Sequence, residues 1–281
     1  MKRRLFPVIA GVLMISGFIS PVVSHGQKVL IKKYLTEFPQ GRPVNDGMLQ
    51  EYRMTSVYTN MDLYGKFMSK TKVSGDYTRG FAGDSAFWKN VFISGSQIYD
   101  EPFSQGSRQD YMENFRYIPS EEMLKEKAFS NFPSSPENIF ARNLIWDMFS
   151  LEIFAWSYCD SLKLNKTYIL PDITGQFDMA DIGKYSHNRI MLTWKGISDV
   201  NNELCAVLEF NAIDNRIEMD MAQIKTKGTE QYWGTIMISL KTKNIEHAVM
   251  YGGTIQEIEV KGLKDKLLVK TIRELEVNKI K

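Results

Sequence analysis

Few residues in this sequence are placed to carry chemistry. Beyond the first 26 residues there are two histidines, His187 and His247, and neither lies at a metal-ligand spacing from another histidine or a cysteine. The sequence contains no His-Glu-x-x-His element, no cysteine cluster and no phosphate-binding glycine loop. The sequence therefore predicts no metal and no cofactor.

Two short segments imitate known functional motifs. Gly83-Asp84-Ser85 is similar to the nucleophile block of one lipase/esterase family, but no Asp-x-x-His partner follows and no Gly-x-Ser-x-Gly elbow is present. Asp199, Asn201 and Glu203 imitate the start of a calcium loop, but its sixth and twelfth positions lack the required Gly and Glu. A hairpin turn accounts for these three residues better. Neither segment predicts an enzyme.

A long helix is predicted after residues 135–137, where Ser, Pro and Glu supply an N-cap, a first-turn proline and a first-turn acid. It should run to about Cys159 or Leu162. At about 100° per residue, its polar side chains fall within one narrow stripe, and nearly all the remaining surface is apolar. Such a helix must be covered on most sides. The stripe consists of Asn143, Asp147, Ser150, Ser157 and Ser161.

Glu152 is the exception on the apolar part of this helix. It lies opposite the polar stripe, near Met148, Ala155 and Trp156. A buried carboxylate needs a cation or hydrogen bonds, or it stays protonated. We interpret Glu152 as one half of a structural ion pair with a Lys or Arg of the sheet, in preference to a functional acid.

The regions on both sides of the helix have the pattern of antiparallel strands. Alternation is clear at Ile217, Met219 and Met221, and turn residues occur at 199–202, 214–215, 227–228 and 261–262. The glycine-rich stretch at 60–85 predicts short strands or loops. The predicted strands are 49–59, 88–99, 167–170, 175–179, 189–195, 203–211, 216–224, 231–241, 245–258 and 266–277.

A surplus of aromatic and methionine side chains falls on the predicted inner faces. Aromatic side chains offer large contact areas, and methionine adapts to irregular shapes. These side chains could line an apolar ligand site, or they could pack against one another at ordinary interior density. The candidate ligand-binding residues are Trp146, Phe149, Trp156, Trp194, Tyr232 and Met250.

The N-terminus has the pattern of a secretory signal peptide. Lys2, Arg3 and Arg4 precede a stretch of mostly apolar residues, and small residues at Ser24 and Gly26 predict cleavage before residue 27. An uncleaved anchor is the alternative, but the prolines and glycines of the stretch favour cleavage. The mature chain would start with Gln, which resembles exported proteins of the Bacteroidetes group. We expect an exported protein, in the periplasm or outside a Gram-negative cell.

The charge balance argues against nucleic acid as a partner. The predicted signal removes three cations and no anions, which leaves 32 basic and 33 acidic residues. A nearly neutral chain lacks the basic surface that nucleic-acid binding requires. No second membrane span is predicted after cleavage, so the expected partners are an apolar small molecule, such as a lipid, or another envelope protein.

The sequence has two cysteines, Cys159 and Cys205. In an oxidising compartment they could form a disulfide that closes a loop of 46 residues, for which a chain-entropy model gives about 4 kcal/mol. Two buried free thiols are the alternative. The sequence does not decide between them, but both interpretations place the end of the helix near the strand that contains Cys205.

These patterns together predict an α+β protein of mostly antiparallel β structure, in which a curved sheet, an open or half barrel, is wrapped around a long apolar helix. We divide the chain into a signal peptide (1–26), a β-rich segment (27–118) and a helix with a following meander (119–281), the last two continuous. From about residue 120 this order resembles the half-barrel proteins of the bacterial envelope, of the lipoprotein-carrier type. The resemblance implies an apolar cavity for acyl chains and transfers no site residue.

Three functions fit the sequence. The first is a binding protein for an apolar ligand held in a β-enclosed cavity. The second is a structural or protein-interaction module of the envelope, whose core is filled. The third is a hydrolase with an unrecognised site. The presence of a concave apolar cavity of a few hundred Å³ would separate the first from the second.

Overall fold

The computed structural model describes residues 25–36, 49–81, 84–133, 135, 137–158, 161–221 and 223–280. Most of the predicted signal peptide lies outside these residues, so its cleavage stays a prediction. The first described element, helix α1, spans His25–Thr36 and so crosses the predicted cleavage position. Among the described helices, none is long and apolar enough to cross a membrane.

The fold is dominated by β-strands. Two α-helices are described, α1 and α2 (Asn138–Trp156), together with several short 3-10 turns. The strands are β1 Gln50–Asp62, β2 Phe67–Phe81, β3 Ser85–Ser96, β4 Ser107–Arg108, β5 Phe115–Tyr117, β6 Thr167–Ile169, β7 Gly175–Asp178, β8 Gly183–His187, β9 Arg189–Val200, β10 Glu203–Met221, β11 Ile224–Ser239, β12 Ile245–Val260 and β13 Leu267–Lys279.

These strands form one antiparallel sheet that is curved and not closed. Its order is β4-β3-β2-β1-β13-β12-β11-β10-β8-β7, and β9 pairs with the first half of β10. The pairing of β1 with β13 joins the first and last of the described strands, so one sheet contains residues from both predicted segments. The prediction of a mostly antiparallel, curved and open sheet is confirmed.

Turn chemistry explains how the meander reverses direction. At the β9–β10 turn, Asn201 and Asn202 both have positive φ angles, of 53° and 66°. A two-residue hairpin turn of type I′ requires two such residues in succession, and asparagine tolerates this conformation better than most side chains. The predicted turn at 199–202 is therefore confirmed, and it occupies the segment that imitated a calcium loop.

The structure corrects two other predicted turns. The chain does not reverse direction at 214–215 or at 227–228, because these residues lie within the long strands β10 and β11. At the first position it forms a bulge, with a register shift between Ala212 and Asn215 and a positive φ at Asp214. Turn-forming residues in mid-strand can mark a bulge as well as a reversal. The prediction of short strands or loops at 60–85 is also wrong, because the single strand β2 occupies 15 residues of this stretch.

The helix differs from its prediction in length and cover. Helix α2 has 19 residues and ends at Trp156, before the expected end. Both halves of α2 contain buried side chains; Phe154 in the second half, for example, contacts the ring of Phe210 on β10 with 5.2 Å between centroids. Its first half carries polar side chains that line a cavity. The expectation of a long apolar helix wrapped by the sheet is therefore not confirmed.

Candidate functional site

A cavity of about 540 Å³ lies between the first half of α2 and the inner face of the sheet. The sheet side is formed by residues of β1, β2, β8 and β10 to β13, and the helix side includes Asn143, Asp147 and Ser150. Small-molecule sites in proteins are concave, mostly apolar and roughly 300–1,000 Å³ in volume. The volume of this cavity falls within that range.

One part of the cavity wall is apolar. It is formed by the ends of β10 to β13 that meet at the β10–β11 and β12–β13 turns, where most of the apolar lining side chains are only partly buried. Two are methionines, whose flexible side chains adapt to irregular shapes, and the others are isoleucine or leucine, which add apolar surface. We call this set the apolar wall; it consists of Ile217, Met219, Met221, Ile224, Ile258 and Leu267.

A buried ion pair lies deeper in the cavity. Arg273 on β13 donates two hydrogen bonds to the carboxylate of Asp147 on α2, one of them at 3.0 Å from Nη1 to Oδ1. Its Nε donates to the hydroxyl of Ser56 at 3.1 Å, and its guanidinium lies 4.8 Å from the ring centroid of Tyr58. Burial raises the pKa of Asp147, against the opposing influence of Arg273. This ion pair links helix α2 to strand β13 of the sheet.

A second carboxyl group, Glu230 on β11, lies in the same layer. It accepts a hydrogen bond from the phenol of Tyr185 on β8 and one of 3.3 Å from the hydroxyl of Thr254 on β12. Burial raises the pKa of Glu230, although the bond from Tyr185 opposes this. The group is thus held by two neutral donors and lacks a direct ion pair among the described contacts.

A histidine and a tyrosine complete this layer. The Nε2 atom of His187 lies 3.1 Å from the hydroxyl oxygen of Tyr232. Burial lowers the pKa of His187 to about 4, so the imidazole is neutral near pH 7. We call the layer the polar belt; it consists of Ser56, Tyr58, Asp147, Tyr185, His187, Glu230, Tyr232, Thr254 and Arg273.

A second, smaller pocket of about 220 Å³ lies on the other side of α2. It contains Glu152, whose carboxylate accepts a hydrogen bond of 2.6 Å from Tyr77 and bonds of 3.2 Å from Arg79 Nε. Arg79 also pairs with Asp84. Burial raises the pKa of Glu152 to about 7. The structure thus gives this interior carboxylate the sheet arginine that the sequence analysis expected.

The predicted ligand-binding residues are divided among three places. Trp146, Tyr232 and Met250 line the large cavity, whereas Phe149 and Trp156 line the small pocket. Trp194 is buried and lines neither pocket, and its indole N–H donates to the carbonyl oxygen of Gly196 at 2.8 Å. The six residues therefore do not form a single site.

The disulfide prediction lies partly outside the described residues. Cys159 is not among them, so the pairing stays a prediction. Cys205 on β10 is buried, and its sulfur donates to the carbonyl oxygen of Glu203 at 3.4 Å.

The structure describes only part of the lipase-like segment. Gly83 lies outside the described residues, and Ser85 is buried at the start of β3. Within the described part of the chain, no group of three or more His, Cys, Asp or Glu side chains is arranged to hold a metal ion.

Sequence reasoning missed the polar belt. A signal for it was present, because Arg273 has the same strand parity as the buried Leu275 and Val277, and Glu230 has that of Tyr232. A charged side chain on an otherwise apolar inner face needs a partner. The polar stripe of α2 was recognised, but its role as cavity lining was not.

Comparisons with known proteins give little guidance. No family model matches the chain, and no curated protein matches it. Among solved structures, a DUF1329 family protein from Desulfovibrio piger aligns over 84% of this chain and 88% of its own, with 8% sequence identity and a TM-score of 0.14. A score this low carries no argument. Neither the lipoprotein-carrier resemblance nor the Bacteroidetes resemblance gains support.

Proposed function

We propose that this chain is an exported binding protein that holds a lipid-like, amphipathic ligand in the cavity between α2 and the curved sheet. The observation that carries the proposal is the cavity of about 540 Å³ with its apolar wall. Apolar side chains that stay partly exposed inside a concave surface favour an apolar ligand over water. In this proposal the sheet partly encloses both the helix and the ligand.

The arrangement of the cavity supports an amphipathic ligand over a purely apolar one. The apolar wall would hold a hydrocarbon portion, and the polar belt would meet a head group. Binding sites of this class place a few polar groups in an otherwise apolar pocket, where they fix the orientation of the ligand. The filled-core interaction module is less well supported, because it leaves a cavity of this size without a role.

The proposed location rests on the sequence alone. The basic n-region, apolar stretch and small-residue exit support export to the periplasm or the cell exterior. Intact-mass analysis of protein recovered from the cell envelope should give a chain that begins at Gln27. A chain that retains residues 1–26 would refute cleavage.

The binding proposal can be tested by narrowing the cavity. Gly252 on β12 lines it, and a Cβ at this position would meet its neighbours at 3.6 Å, an ordinary contact. The variant Gly252→Leu should therefore fold while its side chain fills space beside Arg273. We expect the variant to bind an NBD-labelled dodecanol about tenfold more weakly than the unmodified protein, a loss of about 1.4 kcal/mol.

The adjacent Gly253 provides a matched control. A Cβ there meets nothing within 4 Å, and strand alternation puts it on the opposite face of the sheet. Gly253→Leu should therefore bind the probe like the unmodified protein, as measured by fluorescence titration. The proposal fails if the folded, unmodified protein shows no saturable binding, or if the two leucine variants weaken binding equally.

A further inference from the structure

The ionisable residues that line the large cavity are mostly acidic. They are Glu137, Asp147 and Glu230 against a single cation, Arg273, among the described lining residues. Glu137 is exposed at the margin, while the other three belong to the polar belt. This balance matters because charges inside a concave, partly desolvated space interact more strongly than charges in bulk water.

The charge of Arg273 is already neutralised within the protein. Its guanidinium makes a bidentate contact with Asp147, and a third N–H donates to Ser56. The side chains of Arg273 and Asp147 are 11% and 13% exposed. Bidentate arginine–carboxylate pairs of this kind are among the strongest hydrogen-bonded contacts in proteins. An incoming carboxylate would have to compete with Asp147 for the same cation.

The remaining groups of the polar belt add no positive charge. His187 faces the cavity as a neutral imidazole near pH 7. The carboxyl group of Glu230 is either ionised, which adds a negative charge, or protonated, which adds none. A ligand carboxylate in this layer would therefore meet one or two acidic side chains and, among the described lining residues, no cation that is not already paired. Neighbouring like charges disfavour ionisation of both groups.

The belt does have unused hydrogen-bonding capacity. A carboxylate offers about four acceptor positions, and Glu230 uses two of them, for Tyr185 and Thr254. Asn215, the register partner of Glu230 on β10, is fully buried, and neither its amide nitrogen nor its amide oxygen has a hydrogen-bond partner in the structure. Glu230 lines the cavity and can therefore accept a further hydrogen bond from a ligand, whereas Asn215 is not among the lining residues.

We propose that the cavity selects amphiphiles with an uncharged, hydrogen-bonding head group, such as a hydroxyl or an amide, over free fatty acids. This inference rests on the proposed binding function and specifies its ligand class. The head group would lie at the polar belt and donate a hydrogen bond to the carboxyl group of Glu230. The hydrocarbon portion would lie along the apolar wall.

Two probes that differ only in the head group test this selectivity. NBD-labelled dodecanol and NBD-labelled dodecanoic acid are titrated into the full chain at pH 8, where a free carboxyl group is ionised. We expect the alcohol to bind about tenfold more tightly than the acid. An NBD-labelled dodecylamine is included, because an acidic lining could also attract a cation.

A variant of Glu230 tests the cause of the selectivity. Glu230→Gln removes the ionisable group and keeps an oxygen that can accept from Tyr185. We expect the acid to gain about tenfold in affinity and the alcohol to change by less than about threefold. Glu274→Gln is the matched control, since Glu274 is exposed and lies next to Arg273 in sequence on the outer face of β13. It should alter neither affinity.

The outcomes separate this inference from the function on which it rests. Saturable binding of alcohol and acid with equal affinity, or tightest binding of the amine, would overturn the head-group inference and leave the binding function standing. Unchanged selectivity in Glu230→Gln would also overturn it. No saturable binding of any of the three probes by the folded protein would overturn both.

Discussion

The long strands β10 and β11 have two ends, and these ends differ in what covers their inner face. At one end, inward residues of β10 and β11 such as Phe210 and Ile236 pack against α2 and are fully buried. At the other end, the same strands continue with the same alternation, but Ile217 and Met219 remain partly exposed along the cavity. Alternation therefore identifies the inner face of a strand, and a second element decides whether that face is filled.

The largest expected effect comes from one substitution made at both ends. Ile236→Ala should lower the free energy of unfolding by about 2–5 kcal/mol, because it leaves a cavity in a packed core. Ile217→Ala should lower it by less than about 1 kcal/mol, because its side chain already borders empty space. Urea unfolding followed by circular dichroism measures both values. Equal losses would show that the two ends are equally packed.

The polar belt separates the two ends, and its ion pair supplies the next prediction. Arg273→Met should destabilise the protein by about 3 kcal/mol at pH 7, because it leaves Asp147 buried without its cation. Combining it with Asp147→Leu should recover most of the loss, since replacing both partners of a buried pair by apolar groups is often nearly neutral. A double variant as unstable as the sum of two single variants would contradict this explanation.

The last prediction is a pH dependence that arises from Glu152 at the second, smaller pocket. The pKa of Glu152 rises from 4.5 to about 7 on folding, so between these values the folded state binds more protons than the unfolded state. The contribution of this group to stability is therefore full below about pH 4.5 and falls as the pH rises to 7.

A pair of glutamine variants isolates this effect. Glu152→Gln should make the urea midpoint less dependent on pH between 5 and 7, because it removes the titrating group. Glu122→Gln, at a side chain that is 72% exposed, should leave the pH dependence unchanged. A Glu152→Gln profile parallel to that of the unmodified protein would show that Glu152 does not titrate in this range.

Sequence reasoning succeeded where a local pattern has a single structural meaning. The alternation at 217–221 and the turn at 199–202 fixed strands and a hairpin, because periodicity and positive-φ residues act locally. It failed at 214–215 and 227–228, where turn-like residues lie within long strands. Whether such residues reverse the chain or form a bulge depends on the neighbouring strands, which no local window contains.

The candidate site was predicted less well than the fold for the same reason. Trp146 and Trp156 were predicted to share one ligand site, but they line different pockets on the two sides of α2. The partnership of Arg273 with Asp147 joins residues 126 positions apart. Such a contact follows from the pairing order of the strands, and single-sequence patterns do not encode that order.

The edges of the sheet have a consequence for how the molecule behaves among copies of itself. The strands at the two ends of the sheet order, β4 and β7, contain only two and four residues. An unclosed sheet exposes unpaired backbone groups at its edges, and these groups can pair with an edge strand of another chain and so promote aggregation. Very short terminal strands leave little backbone for such pairing. The two outermost strands of this order therefore offer few backbone groups to another copy of the protein, even though the sheet does not close.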